Sequence, residues 1–336
     1  MPDNDVYDIT ILGAGPAGLF GAFYAGMRGL RTKLIESLPQ VGGQLAVLYP
    51  EKLVYDVAGH PRILAKDLVS QLSTQGLHFG PTVCLDERVE LLARREVGDG
   101  EEAWVLKSDR TEHLSRTVVI TAGIGAFAPN KLEKPGVAHL EGRGVEYFVG
   151  DKLPLRGKRI LIVGGGDSAV DWCLNLKDWA ESITLVHRRD QFRAHEASLA
   201  ELRLTNIPVL TFWELKRAHG KDRVEGATIF NNKTGEEREI EVDAILVNIG
   251  FKASLGSIVQ WGLDMADSRH IKVSCLQETN LPGVFAAGDI ASVEGNEALS
   301  LIATGFGQAA IASNAAASFL KPEARLFPGH SSEMRL

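Results

Sequence analysis

The stretch Asp8-Ile9-Thr10-Ile11-Leu12-Gly13-Ala14-Gly15-Pro16-Ala17-Gly18 decides how the rest of the chain is read. A short apolar strand runs into a turn with glycines at 13, 15 and 18, and a helical pattern continues to about Arg28. A second strand, Thr32 to Ile35, ends at an acid, Glu36. Strand, glycine turn, helix and acid-tipped strand in this order form a dinucleotide-binding βαβ unit. Gly13 permits the tight turn, and Gly15 lets the backbone approach a pyrophosphate. Pro16 and Ala17 open the helix, whose N-terminal N–H groups face the phosphates. Gly18 lets the helix lie close to the strand, and Glu36 is placed to accept hydroxyls of an adenosine ribose.

The same unit occurs a second time. Arg159 to Val163 is a strand, Gly164-Gly165-Gly166-Asp167-Ser168-Ala169 is the turn, and a strand from Ile183 to Val186 ends at His187. At one constant offset Gly13 maps onto Gly164, Gly18 onto Ala169 and Glu36 onto His187. Where the first unit ends in a carboxylate, the second reads His187-Arg188-Arg189. A carboxylate there would repel a ribose 2′-phosphate, whereas guanidinium groups clamp one through charge-assisted hydrogen bonds. A solvated basic turn would also account for two arginines, but not for their landing on the ribose-reading position. Two such units imply two nucleotides: a resident redox cofactor and a diffusing reductant. The acid-ended unit suits FAD and the basic one NADPH. Asp167 and Ser168 open the second helix, where first-turn chemistry explains them as well as cofactor binding does.

At 336 residues the chain has room for two domains, each able to bury a core. Helix and strand patterns alternate, which predicts α/β layers around parallel sheets. Leu114 to Ala122 and Val242 to Ile249 are strands that exit through glycine, and Leu281 to Asp289 is a strand that stops at Gly288-Asp289. A helix follows over roughly 298–319. The expected fold is two Rossmann-like dinucleotide-binding domains of the three-layer ββα type, the second inserted in the first. An FAD domain takes 1–125 and 282–336, and an NADPH domain takes 126–281.

Composition removes other classes. A net charge of −7 argues against nucleic acid or an anionic membrane as a partner. No apolar run has the length of a transmembrane helix, and the first residues lack a signal-peptide pattern, so a cytoplasmic location is expected. Cys84, Cys173 and Cys275 are far apart and make neither a CxxC motif nor a zinc site. Cys84 and Cys173 read as small buried hydrophobes.

The order of the first glycine turn, Glu36, Gly42-Gly43-Gln44, Thr121-Ala122-Gly123, the second turn, His187-Arg188-Arg189 and Gly288-Asp289 resembles the low-molecular-weight thioredoxin reductases. Those enzymes carry a redox-active CxxC just before the second turn. Here the stretch Gly144 to Asp151 holds no cysteine, so the disulfide relay is absent. Leu48-Tyr49-Pro50-Glu51-Lys52, Tyr55 to Gly59, Phe192 to Glu196, Ile302 to Gly307 and the tail Pro328 to Ser332 are similar to the thioredoxin-reductase-like ferredoxin–NADP⁺ reductases. That resemblance implies FAD-dependent electron transfer between NADPH and a one-electron carrier, ferredoxin or flavodoxin. Hydride would pass to flavin N5, followed by single-electron steps.

The resemblance also implies site roles. Gln44, Gly123 and Asp289 contact the flavin or its ribitol chain, and Asp289 precedes a helix whose dipole faces flavin N1. Thr304 lies at the pyrimidine end. Tyr49 stacks on one flavin face, unless it is simple core packing, and His330 covers the other, in cis or from the partner of a homodimer. Gly164, Gly166 and Ala169 form the second turn, and His187, Arg188, Arg189 and Arg193 hold the 2′-phosphate. No metal and no side-chain acid or base is required. A basic surface including Arg188, Arg189, Arg193, Arg203, Lys216 and Arg217 would dock an acidic carrier. Two other readings stay open from the residues alone: an NADPH oxidase or reductase acting on oxygen, quinone or iron, and a non-catalytic redox-sensing flavoprotein.

Overall fold

A computed structural model describes residues 5–98, 100–327 and 329–333. The chain divides into two compact units. The first gathers the chain up to Ala46, Leu53–Phe127 and Ala253 onward; the second takes Val47–Lys52 and Ala128–Lys252.

In the first unit, helices α1 (Pro16–Met27), α2 (Gly43–Val47) and α3 (Ala65–Gly76) follow the opening strand. Among the described residues a seven-stranded sheet runs in the order Thr82–Cys84, Thr32–Ile35, Val6–Leu12, Glu112–Ile120, Glu101–Ser108, Val89–Gly98, with Val284–Ala286 also paired to Glu112–Ile120. The first four strands are parallel, and the last two turn back as an antiparallel meander. Strand residues alternate between two apolar layers. Ile9, Ile11 and Leu34 face α1, while Leu12 and Ile35 face the meander with Trp104 and Leu106. This is the expected ββα layering.

The second unit holds helices α4 (Asp167–Leu176) and α5 (Glu196–Arg203). Its parallel sheet is ordered Val145–Glu146, Ala244–Asn248, Arg159–Gly164, Ser182–His187, Val209–Thr211, beside a three-stranded antiparallel sheet built from Trp213–His219, Gly226–Asn231 and Glu237–Ile240. The long helix α6 (Ile302–Leu320) closes the first unit. It lies against α1 at Gly21, where Ser313 Oγ donates to the Gly21 carbonyl at 3.0 Å.

The second unit closes at Lys252 rather than near 281, and Val47–Lys52 clusters with it as well. Residues 253–281, expected in the second unit, pack in the first. Leu255, Ile258, Trp261, Leu263, Ile271 and Val273 join the core around Leu12, Ile35 and Trp104, and Trp261 Nε1 donates to the Glu90 carbonyl at 3.1 Å. The pieces there are a five-residue 3₁₀ turn and a three-residue strand, too short for either period to show in sequence.

One polar network is buried between the sheet and the meander. Lys33 is fully buried; its Nζ lies 3.0 Å from His113 Nδ1, while His113 Nε2 lies 2.6 Å from Glu87 Oε1. With Cys84 the candidate ligand atoms of Glu87 and His113 fall within 4.8 Å of one another. Lys33 and Glu87 occupy both imidazole nitrogens of His113 as hydrogen-bond partners. Cys84, read as a buried hydrophobe, is half-buried at the rim of this polar cluster.

Candidate functional site

Parallel register brings the sequence-marked residues of the first unit to the carboxyl ends of its strands. Leu12 pairs with Ile35 and Ile120, and Ile120 with Ala286. Gly13, Glu36, Thr121 to Gly123 and Ala287 to Asp289 therefore leave the sheet along one edge, where open α/β sheets bind ligands.

The turn itself is tightly specified. A β-carbon at residue 18 would stand 1.9 Å from the Gly13 carbonyl oxygen, so only glycine fits. No side chain caps α1 at Gly15, and Pro16 occupies its first turn, leaving the helix N-terminus facing outward. Space above it is open: a β-carbon on Gly15 would meet nothing nearer than Gly43 Cα at 3.9 Å. Glu36 is buried beside this opening. Its Oε2 accepts the Ala14 N–H at 2.8 Å, and its Oε1 accepts the Leu38 N–H at 3.0 Å and the Ser37 hydroxyl at 3.2 Å. Burial pushes the Glu36 carboxyl above its ordinary pKa, with the N–H groups of Ala14 and Leu38 pulling back. With three donors already accepted, the carboxylate keeps one lone-pair place, on Oε2, for a further donor such as a ribose hydroxyl.

Gln44, Gly123 and Asp289 come together at this edge. Gln44 Nε2 lies 3.3 Å from Asp289 Oδ2, and it lies 3.2 Å from where a Gly123 β-carbon would stand. The helix expected over roughly 298–319 is α6 (Ile302–Leu320), and it does not follow Asp289 directly. Asp289 enters a turn and the strand Ala291–Val293, and α6 begins only at Ile302. Tertiary packing restores the relationship: Gln308 Oε1 accepts the Gly288 N–H at 2.8 Å, and Gly305 faces Gly288. Thr304 lies in the uncapped first turn of α6, its hydroxyl donating to the carbonyls of Leu299 and Leu301 at 2.7 and 2.9 Å.

Tyr49 is half-buried within Val47–Lys52, the segment that clusters with the second unit, where Lys52 pairs with Asp171 at 2.8 Å. His330 is exposed, edge-on to Phe327, and lines a groove of about 410 Å³ with Tyr24, Met27, Ile311 and Asn314. Arg28 Nη1 donates to the Arg325 carbonyl at 2.8 Å, fixing the tail at this end of α1. Tyr24 and Ile311 lie roughly 10–13 Å along their helices from Gly15 and Thr304, at 1.5 Å per residue. Pro328 lies outside the described residues.

The second unit repeats the arrangement with changed chemistry. Gly164 pairs with Asn248, α4 starts uncapped after Gly166, and nothing lies within 4 Å of a β-carbon at Gly166. Ala169 is fully buried with its β-carbon 3.0 Å from where one on Gly164 would stand. His187 covers the turn: a β-carbon on Gly165 would stand 2.2–2.5 Å from the imidazole ring, whose Nε2 is 3.1 Å from the Gln191 carbonyl. Arg188 and Arg189 are exposed and have no ion pair among the described residues. The Arg193 N–H donates to the Gly165 carbonyl at 2.7 Å, so that residue starts at the turn. Asp167 Oδ1 accepts the His195 N–H at 2.8 Å, tying the start of α4 to that of α5; Ser168 is half-buried in the first turn of α4. Of the proposed docking surface, Arg203 pairs with Glu196 at 3.5 Å and Lys216 with Glu237.

Sequence reading missed Asn248. Its Oδ1 is buried without a hydrogen-bond partner among the described residues, at the strand end beside Gly164. The signal was a polar residue ending an otherwise apolar strand. An orphan acceptor, an open uncapped turn and two unpaired guanidinium groups fit a pyridine nucleotide with a 2′-phosphate. The open turn at Gly15, the Glu36 carboxylate and the Gln44–Asp289 pair fit FAD.

Two such units define a flavin- and pyridine-nucleotide-dependent oxidoreductase. The model of the pyridine nucleotide-disulphide oxidoreductase family matches residues 7–316. The chain is 51% identical over 335 residues to a ferredoxin–NADP reductase of Symbiobacterium thermophilum, covering 99% of this chain and 98% of that protein. It is 50% identical over 333 residues to one of Thermus thermophilus, covering 98% and 97%. Among solved structures, Lactococcus lactis thioredoxin reductase superposes with a TM-score of 0.71 at 26% identity, over 94% of this chain and 99% of that one. Thioredoxin reductase of T. acidophilum gives 0.72 at 23% identity, over 93% and 98%, and shares the fold. The chain belongs to the thioredoxin-reductase-like ferredoxin–NADP reductases of the pyridine nucleotide-disulphide oxidoreductase family. It is an FAD- and NADP(H)-dependent oxidoreductase. No helix among the described residues is long and apolar enough to cross a membrane.

Proposed function

We propose that this enzyme moves electrons between NADPH and a small one-electron protein carrier, a ferredoxin or flavodoxin, as a cytoplasmic homodimer. The observation that carries the reading is the absence of cysteine over 144–151 in a chain with both nucleotide units intact. Without a dithiol, electrons leave for the acceptor directly. Bound flavin supplies the conversion between hydride and single-electron chemistry.

The residues divide the work. Gly13, Gly15, Pro16, Ala17 and Gly18 present the N-terminus of α1 to the FAD pyrophosphate, and Glu36 accepts a ribose hydroxyl. Gln44, Gly123, Asp289 and Thr304 orient the ring system, with the uncapped turn of α6 favouring negative charge at its pyrimidine end. Gly164, Gly166, Asp167, Ser168 and Ala169 hold the NADPH pyrophosphate. Asn248 accepts a donor of the nucleotide, and Arg188, Arg189 and Arg193 surround the 2′-phosphate, with His187 shaping their loop. Tyr49 excludes solvent from one ring face. His330 of the partner subunit excludes it from the other, because the chain's own tail lies at the far end of α1. The half-buried aromatic face made by Phe20, Phe23, Tyr24 and Phe306 beside that tail supports pairing of two copies.

The test is anaerobic stopped-flow. Enzyme reduced by NADPH should pass electrons to ferredoxin much faster than air-saturated buffer reoxidises it. Reoxidation by ferredoxin no faster than by oxygen would assign the enzyme to the small-acceptor reductases instead.

A further inference from the structure

The hairpin Asn231–Glu236 lies outside every motif that marks the second nucleotide unit, yet it reaches the loop that carries the arginines. Asn232 makes three contacts there. Its Nδ2 donates to the Arg188 carbonyl at 2.9 Å and to Glu214 Oε1 at 2.8 Å, and its backbone N–H donates to the Phe212 carbonyl at 2.8 Å. Both side-chain partners are acceptors, so the amide orientation is unambiguous. Phe212 follows Thr211, the register partner of His187, which sets it beside Arg188. Its φ of +64° is a left-handed conformation uncommon for a bulky residue, so the junction is held against a local cost. Lys233 Nζ rests 3.4 Å from the Phe212 ring centre.

The charges nearby make this arrangement consequential. Glu214 is a half-buried carboxylate within one amide of the Arg188 backbone, whereas Arg188 and Arg189 carry no ion pair among the described residues. An unrestrained carboxylate there would compete with a phosphate for the guanidinium groups.

We propose that Asn232 is a positioning residue for NADP(H) selectivity: it fixes the Arg188 backbone and holds the Glu214 carboxylate, leaving both arginines unpaired for the 2′-phosphate. The inference rests on the assignment of Arg188 and Arg189 to that phosphate. The Asn232 side-chain amide is spent on Arg188 and Glu214, so its loss acts through the arginine loop.

The experiment is calorimetric titration of the FAD-loaded enzyme with NADP⁺ and with NAD⁺, for wild type, Asn232→Ala, Asn232→Ala/Glu214→Gln and Arg188→Ala. Flavin absorbance and thermal melting check the fold. Asn232→Ala should raise the NADP⁺ Kd about tenfold and leave the NAD⁺ Kd unchanged. Adding Glu214→Gln should recover most of the loss, a rescue that a merely structural asparagine would not show. A ratio of the two Kd values unchanged from wild type overturns the proposal, as does an equal loss for both nucleotides or a failure of the rescue. If Asn232→Ala does not melt cooperatively, Asn232→Ser is titrated against the same two outcomes. Loss of NADP⁺ preference in Arg188→Ala alone sinks this inference and leaves the phosphate assignment standing; no change in Arg188→Ala removes the assignment itself, and the inference with it.

Discussion

At the first glycine turn the strand-end residue folds back on the turn: the Glu36 carboxylate is buried and takes the Ala14 N–H. At the second, the strand-end His187 lays its ring on Gly165, and the next two residues, Arg188 and Arg189, are exposed. The backbone units are the same, but the first buries its strand-end side chain and the second leaves the two residues after it exposed. A buried acid suits a cofactor that stays, because its desolvation is offset only while donors surround it. Exposed guanidinium groups suit a nucleotide that must leave, since water replaces it at little cost.

The largest effect that would break this comparison concerns the third small residue of each turn. Gly18→Ala puts a methyl 1.9 Å from a carbonyl oxygen, so the purified protein should be colourless, without absorbance near 450 nm. Ala169→Gly in the second unit should keep the flavin and cost only about 1 kcal/mol in a thermal melt. Equal tolerance at both sites would mean that the first turn is looser than its geometry.

Next in size is the basic rim. Arg188→Ala removes a charge-assisted contact worth about 1.5–3 kcal/mol, so KM for NADPH should rise roughly ten- to a hundredfold. KM for NADH should not move. Parallel increases for both nucleotides would show the arginine reading something other than the phosphate.

The smallest expected effect is a pH dependence confined to the first unit. The Glu36 carboxyl is raised in the flavin-free protein, and a ribose hydroxyl favours its ionised form. Flavin affinity should therefore be full above that raised pKa and weaken as pH falls through it, read as flavin fluorescence released in mild acid. Without flavin the sign reverses. Burial favours protonated Glu36 in the folded state, so its contribution to stability is complete below the unfolded carboxyl pKa and lost as pH rises through the folded one. Glu36→Gln should flatten the release profile; an unchanged profile would assign the release to another group.

Much of this was legible from residues alone, and unevenly so. The two turns, their strands and the exchange of Glu36 for His187 could be read directly because local chemistry dictates them. The return of the chain at Ala253 could not, because Ile271–Val273 is too short to declare a period and finds its core only through Trp261 and Leu255. The helix after Asp289 was legible, but not how it reaches the strand end. That helix arrives through the packing of Gly305 and Gln308 on Gly288, which adjacency in sequence does not encode. Asn232 was invisible for the same cause: Arg188 and Glu214 are brought beside it only by strand register.

The anchoring of the tail by Arg28 has a consequence at the scale of the cell. On the dimeric reading, no chain can shield its own flavin, so shielding exists only while two copies are together. Dilution below the pairing constant would expose one ring face to dissolved oxygen. The share of electrons diverted to peroxide then depends on how much enzyme is present, and an under-expressed enzyme would leak more per turnover than an abundant one.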